Sequence, residues 1–267
     1  MNRSLSLCLF FSSLPLAAGE LQILGRQLFF DKRLSADNSI SCASCHRPDR
    51  AFTDGSAVSQ GIHGQTGKYN SPTVLNRAKS KRHFWDGRAA TLEEQAAGPL
   101  LNPVEMGNTR EELEAKLNGM IAYRLRFARA FGSEQITLGR IARALAAYEK
   151  TLRSRRSLYD DYLRGRRKHW TPDHELGRQI FFGTAGCAAC HNGPNFTNDA
   201  LVPDEEGKAW KVPSLRELTH TAPYFHDGRH ATLRDVLEHH GNTQKLDGGA
   251  KQLLILFLES LSGDYSR

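Results

Sequence analysis

The pentapeptide Cys-x-x-Cys-His occurs twice in this chain, as Cys42-Ala43-Ser44-Cys45-His46 and as Cys187-Ala188-Ala189-Cys190-His191, and the two copies use four of its five cysteines. A bare Cys-x-x-Cys could be half of a zinc site or a redox dithiol, and four cysteines in an oxidising compartment could pair as disulfides. The histidine that follows directly in both copies argues against these readings. It completes the attachment signal of c-type haem, in which two thiols add to the haem vinyl groups and the histidine becomes the proximal iron ligand. Two covalent c-type haems are therefore expected, attached through Cys42, Cys45, Cys187 and Cys190, with His46 and His191 as iron ligands.

The fifth cysteine, Cys8, lies in a segment of different character: Asn2-Arg3, an apolar run from Leu5 to Leu16, then Ala17-Ala18-Gly19. This order reads as a secretory signal peptide over residues 1–18. Cys8 sits inside the apolar run, which speaks against lipidation. The run is too short to cross a bilayer, and no later stretch approaches the roughly 20 apolar residues needed. An exported protein that does not span the membrane is expected. With 267 residues, 39 % of them hydrophobic, and 36 Lys plus Arg against 29 Asp plus Glu, the chain has a globular composition, neither disordered nor a membrane bundle. In an exported protein the basic excess fits acidic protein partners, or mere solubility, and not nucleic acid.

The haem motifs sit in a longer repeat. Leu24-Gly25-Arg26-Gln27-Leu28-Phe29-Phe30 precedes the first and Leu176-Gly177-Arg178-Gln179-Ile180-Phe181-Phe182 the second, matching at six positions of seven. Downstream, Phe84-Trp85-Asp86-Gly87-Arg88-Ala89-Ala90-Thr91-Leu92 mirrors Phe225-His226-Asp227-Gly228-Arg229-His230-Ala231-Thr232-Leu233, and Pro72 and Pro213 each lie twelve residues before their Phe. Each half should thus carry a turn that opens a helix with Thr at its N-cap.

Seven residues beyond Leu92 is Pro99, whereas seven beyond Leu233 is His240. Proline cannot ligate iron. If His240 reaches its iron, the second haem is closed by two histidines and suited to electron transfer, while the first keeps an open position, as peroxidase chemistry requires. The alternative makes His239-His240 a surface pair complementing a helix C-terminus. Near Pro99 stand Gln95, which could orient peroxide, and Glu105, whose carboxylate could move a proton between the two peroxide oxygens. Glu105 could equally be an acidic residue preceding the helical pattern Leu113, Leu117, Ile121.

Together these residues resemble the bacterial dihaem cytochrome c peroxidase family and its MauG branch, enzymes that oxidise a partner's side chains to mature a protein-derived cofactor. The likeness rests on both Cys-x-x-Cys-His sites, Asn70-Ser71-Pro72-Thr73-Val74-Leu75-Asn76, Phe84-Trp85-Asp86-Gly87-Arg88, the stretch from Gln95 to Glu105, Val212-Pro213-Ser214-Leu215-Arg216 and Thr221-Ala222-Pro223-Tyr224-Phe225-His226-Asp227-Gly228. The resemblance implies that Glu105 is the acid-base residue, that Gln95 and Pro99 line the peroxide pocket, and that Trp85 lies between the haems as an electron relay. It also implies a calcium ion held by Asn70, Thr221 and Pro223, hard oxygen donors as calcium requires. Two departures stand out. The place of His240 is usually Met in the peroxidases and Tyr in MauG-type enzymes; imidazole should lower the potential of the second haem relative to thioether. His63 lies near the histidine that caps the first haem in many of these peroxidases but is one residue out of register, so it is either such a cap or a turn residue.

Helical periodicity over 111–130 and 137–152, with little alternation of the β type, predicts a mainly α fold of two cytochrome c-like haem domains facing each other. The N-terminal domain, with the peroxidatic haem, is expected over 19–165 and the C-terminal domain, with the electron-transfer haem, over 166–248. By the resemblance, 249–267, including a helix from Leu253 to Leu261, returns to the first domain. Basic clusters at Arg153 to Arg156 and Arg164 to Lys168 suit a solvated connection or a docking surface. Trp170 and Trp210 could pack the core or carry electrons to a partner. The expected activity is a periplasmic reaction with hydrogen peroxide that oxidises a redox protein partner or protein substrate, leaning to MauG-like modification of Trp or Tyr. Peroxide reduction with electrons from a small cytochrome or cupredoxin is the alternative. A non-catalytic dihaem electron carrier is the reading from another class.

Overall fold

A computed structural model of the chain describes residues 14–265, with side chains from Gly19 onward. Of the leader expected over 1–18, residues 1–13 lie outside the described residues and 14–18 form the start of a helix. Ten α-helices occur among them: α1 (Leu14–Phe30), α2 (Cys42–Cys45), α3 (Leu92–Leu101), α4 (Arg110–Asn118), α5 (Ile121–Phe131), α6 (Leu138–Glu149), α7 (Leu158–Leu163), α8 (Pro172–Phe182), α9 (Leu233–His239) and α10 (Gly248–Glu259). The one sheet among the described residues is an antiparallel hairpin of β1 (Leu201–Pro203) and β2 (Ala209–Lys211). The fold is mainly α, as expected. No described helix is long and apolar enough to cross a membrane.

The caps are where the repeat places them. Thr91 accepts from the Glu94 N–H at the start of α3, and Thr232 from the Asp235 N–H at the start of α9, each satisfying an N–H that the first helical turn leaves without a partner. The helical periodicity over 111–130 is carried by two helices. Gly119 and Met120 separate α4 from α5, and Asn118 binds the Ile136 N–H through Oδ1 and the Ile136 carbonyl through Nδ2, which anchors the break to the loop after α5. Each piece buries its own i, i+4 pair, Leu113 with Leu117 and Tyr123 with Phe127, so a pattern that reads as one stripe comes from two helices.

Two apolar cores form. The first is built from α1, α3, α4, α5 and α6, the second from α7, α8, α9 and α10 around Phe181, Phe196 and Phe257. In the first, α1 crosses α6 at Gly25, where a Cβ would stand 1.8 Å from the Ala144 carbonyl oxygen; in the second, α8 crosses α10 at Gly177, where a Cβ would stand 2.1 Å from that of Leu253. These are the glycines of the repeated Leu-Gly-Arg-Gln, and they let one helix backbone rest on another. Gly25→Ala and Gly177→Ala should each cost about 1–3 kcal/mol or more by overpacking, read as a lower denaturation midpoint in urea.

The same crossing corrects the expectation for 249–267. α10 packs on α8 and α9 in the second core, not on the first domain; only the tail reaches back, with Asp264 paired to Arg155 across two backbone hydrogen bonds and Tyr265 against the first core. Tyr159 of α7, on the first side of the expected boundary at 165, is likewise buried in the second core. The halves meet closely. At Gly228 a Cβ would lie 2.4 Å from Ala57 Cα, and buried Arg77 of the first half stands 3.6 Å from buried Asp199 of the second.

Candidate active site

Both Cys-x-x-Cys-His segments fold as a short helical turn that ends on the histidine. The His46 N–H donates to the Cys42 carbonyl and the His191 N–H to that of Cys187, each at 2.9 Å. Each imidazole then places Nδ1 3.2 Å from a backbone carbonyl, that of Phe52 for His46 and that of Phe196 for His191. Phe52 and Phe196 share a left-handed backbone, with φ of 58° and 52°. A proton held on Nδ1 by a carbonyl leaves Nε2 bare, the state a metal requires. Burial keeps both imidazoles neutral, that of His191 lowered to about 4.

Burial pushes the Cys42 thiol up to about 12 and those of Cys45 and Cys187 to about 11. A redox dithiol needs the opposite shift, and among the described residues no three His, Cys, Asp or Glu side chains converge as a metal site. The donor set fits covalent haem: two thiols on one turn beside a neutral, oriented imidazole.

In the second half, α9 ends at His239 and His240 follows as its cap. The His240 ring centroid lies 6.2 Å from that of His191, with the planes at 61°. That spacing accommodates one metal ion bonded to a nitrogen of each ring at about 2 Å. His239 turns elsewhere: its Nδ1 lies 2.8 Å from the Asp235 carbonyl and its ring stacks on His230. The two members of the pair therefore differ in role. Buried Thr243 donates to the carbonyls of both Leu237 and His240, tying the segment that carries His240 to the end of α9. Nothing in the sequence singles Thr243 out.

In the first half the equivalent position, Pro99, lies inside α3 with Gln95 one turn before it on the same face. The chain leaves α3 at Asn102 and folds back, the Met106 N–H donating to the Pro99 carbonyl at 3.2 Å. Glu105 is half-buried, and its carboxylate accepts a hydrogen bond from Asn102 Nδ2 at 2.7 Å. Burial raises its pKa above the ordinary carboxylate range, opposed by that hydrogen bond and by the charge of Arg88. Asn102 thus holds the Glu105 carboxylate, a contact the sequence does not show. Residues 61–65 close over this turn: the Ile62 N–H donates to the Glu105 carbonyl at 2.9 Å, and Gly61 sits so near Val104 that a Cβ would fall 1.7 Å from its oxygen. His63 has a left-handed backbone and is exposed, its Nδ1 3.6 Å from Asp37, at the rim of a cleft of about 600 Å³ that it shares with Cys45.

Trp85 stands where the halves join. Its indole N–H donates to the Asn70 carbonyl at 2.8 Å, and its own carbonyl accepts from the Lys211 N–H of the second half at 2.7 Å. Asn70 is buried, donates from its backbone N–H to the His226 carbonyl, and donates from Nδ2 to the Ser56 carbonyl. Its Oδ1 is the side-chain atom suited to a cation. Thr221 and Pro223 lie in the segment leading to His226 and are half-buried.

Residues 20–168 match the family model described as di-haem cytochrome c peroxidase. The chain belongs to that family. A cytochrome c551 peroxidase of Nitrosomonas europaea is 38 % identical, over 90 % of this chain and 79 % of that protein. The methylamine utilization protein MauG of Methylophilus methylotrophus is 33 % identical, over 91 % of this chain and 83 % of that protein. Among solved structures, a MauG-like protein associated with microbial copper homeostasis superposes with a TM-score of 0.82 at 29 % identity, covering 92 % of this chain and 90 % of that one. The family is a di-haem one, and the chain carries two Cys-x-x-Cys-His pentapeptides. The two branches, peroxidase and MauG, are both represented among its relatives.

Proposed function

We propose that the chain is an exported oxidoreductase in which hydrogen peroxide reacts in the half carrying Gln95, Pro99 and Glu105, and the oxidising power passes through Trp85 and the second half to a protein partner. The observation that carries this reading is the broken symmetry of the repeat. Where the second half turns a histidine toward His191, the first has a proline with a desolvated carboxylate six residues on. Bound haem supplies the redox-active iron and a porphyrin able to store oxidising equivalents. The residues of the chain supply the rest. Glu105 takes a proton from one peroxide oxygen and returns it to the other, which leaves as water; its raised pKa brings it closer to the operating pH. Asn102 holds the carboxylate, Gln95 orients peroxide through its amide, and Pro99 keeps the position free of any ligating atom.

Stopped-flow mixing of oxidised holoprotein with peroxide tests the reading. A rapid spectral change linear in peroxide concentration is expected; its absence would leave a non-catalytic electron carrier. His240, which stands where the resemblance places Met in peroxidases that draw on small donors, inclines the reading to MauG-like oxidation of Trp or Tyr on a partner. Mass spectrometry of candidate partners after peroxide should then show added oxygen or a cross-link, whereas fast oxidation of a reduced small cytochrome or cupredoxin would favour peroxide removal.

A calcium ion held by Asn70 Oδ1 with the carbonyls of Thr221 and Pro223 would clamp the junction at which Trp85 sits. Chelation should slow electron exchange between the haems at least tenfold and leave both attached, as read by transient absorption; an unchanged rate would remove the ion from the scheme.

A further inference from the structure

The repeat places His226 of the second half at the position of Trp85 in the first, and the two meet on one residue: Asn70 accepts from the Trp85 indole at its carbonyl and donates from its N–H to the His226 carbonyl, both at 2.8 Å. Trp210 on β2 stacks on His226, with centroids 3.7 Å apart and planes at 15°. Tyr69, next to Asn70 in the chain, meets both rings edge-on, at 5.6 Å from Trp210 and 6.0 Å from His226. A second link runs through Lys211, whose N–H donates to the Trp85 carbonyl and which adjoins Trp210. Trp85 and Trp210 are therefore joined by two links, one through a single hydrogen bond to Lys211 and one through two hydrogen bonds at Asn70 and the His226 stack. Trp210 is half-exposed, and Val202 opposite it on β1, like Leu201, is exposed. The route thus runs from the junction of the halves to the surface.

The polar surroundings of Trp210 go beyond what packing requires. Its indole N–H donates to Asp204 Oδ2 at 2.6 Å, and this bond holds the Asp204 carboxyl below the usual range, so an anion faces the N–H. An indole that loses an electron becomes a cation with an acidic N–H, and a hydrogen-bonded carboxylate stabilises that charge. One group opposes the loss: the Lys208 ammonium lies 4.2 Å over the Trp210 ring and donates to the Tyr69 hydroxyl. Ion and anion act in opposite senses on one ring, which provides a test by sign.

We propose that Trp210, stacked on His226 and held by Asp204, is the surface relay at which a protein partner gives up its electrons, Trp85 being the inner end of the same route. This rests on the peroxide-using reading above. One hydrogen peroxide with two electrons and two protons gives two waters. Each electron leaves Trp210 singly, the indole N–H proton stays in its bond to Asp204, and the partner, oxidised by one electron each time, restores Trp210.

Holoprotein is mixed with peroxide without a donor, freeze-quenched for electron paramagnetic resonance with indole-deuterated tryptophan, and digested for mass spectrometry; oxidation of reduced monohaem cytochrome c is followed in parallel. A tryptophan radical and oxygen addition at Trp210 are expected. Trp210→Phe, which keeps a ring on His226, should abolish both and slow cytochrome oxidation at least tenfold, and Trp210→Tyr should recover part of the rate. Asp204→Asn should lower the radical yield and Lys208→Met should raise it. A Trp210→Phe protein with the wild-type radical signal and wild-type cytochrome oxidation would overturn the relay. Wild-type haem absorbance that peroxide does not alter would instead overturn the reading on which the relay rests.

Discussion

Replacing Glu105 with Gln is expected to slow the reaction with peroxide on the order of 10²- to 10⁴-fold, the usual worth of a positioned acid-base group, with both haems still attached. The amide would keep the shape of the carboxylate and could still accept from Asn102, but it could not take the peroxide proton. The dependence on pH should differ as well. The working form is the carboxylate, so the wild-type rate falls as pH drops through the pKa of Glu105, which burial has raised, and the falling limb lies above the ordinary carboxylate range. Asn102→Ala removes a bond that favours the charged form and should move that limb to higher pH; Glu105→Gln should lose the limb altogether. A Glu105→Gln protein with wild-type rates would take this residue out of the mechanism.

The second large effect is expected at His240. Its ring centroid lies 6.2 Å from that of His191, whereas His239 is tied to Asp235 and His230, so the two adjacent histidines should respond differently to substitution. His240→Ala should convert the low-spin haem to high spin, while His239→Ala should leave the spectrum as it is. His240→Met should retain a sixth ligand and raise the reduction potential of that haem, because thioether favours the reduced iron more than imidazole does. A wild-type spectrum in His240→Ala would refute the ligand assignment.

Much of the site is legible in the sequence because its chemistry is local. The Cys-x-x-Cys-His turns, the Thr91 and Thr232 caps and the offset between Pro99 and His240 are all spacings along the chain. What escapes sequence reading acts across it or through the backbone. The partner of Gly177 is the carbonyl of Leu253, which any residue could supply, so nothing in the α10 side chains announces that this helix duplicates α6. The break at Gly119 is hidden because α4 and α5 bury their apolar pairs in one core. Asn102 and Thr243 hold Glu105 and His240 through short-range hydrogen bonds, roles open to many polar residues. Trp210 illustrates the reverse case, a residue visible at once whose significance depends on His226 and Asp204 around it.

Whether one duplicated plan yields two unlike iron sites is read by electron paramagnetic resonance of the oxidised holoprotein. One high-spin and one low-spin ferric haem in equal amounts, with His240→Ala removing the low-spin signal, is the expected result. Two low-spin haems that persist while peroxide is supplied would mean that a side chain occupies both irons, and would contradict it.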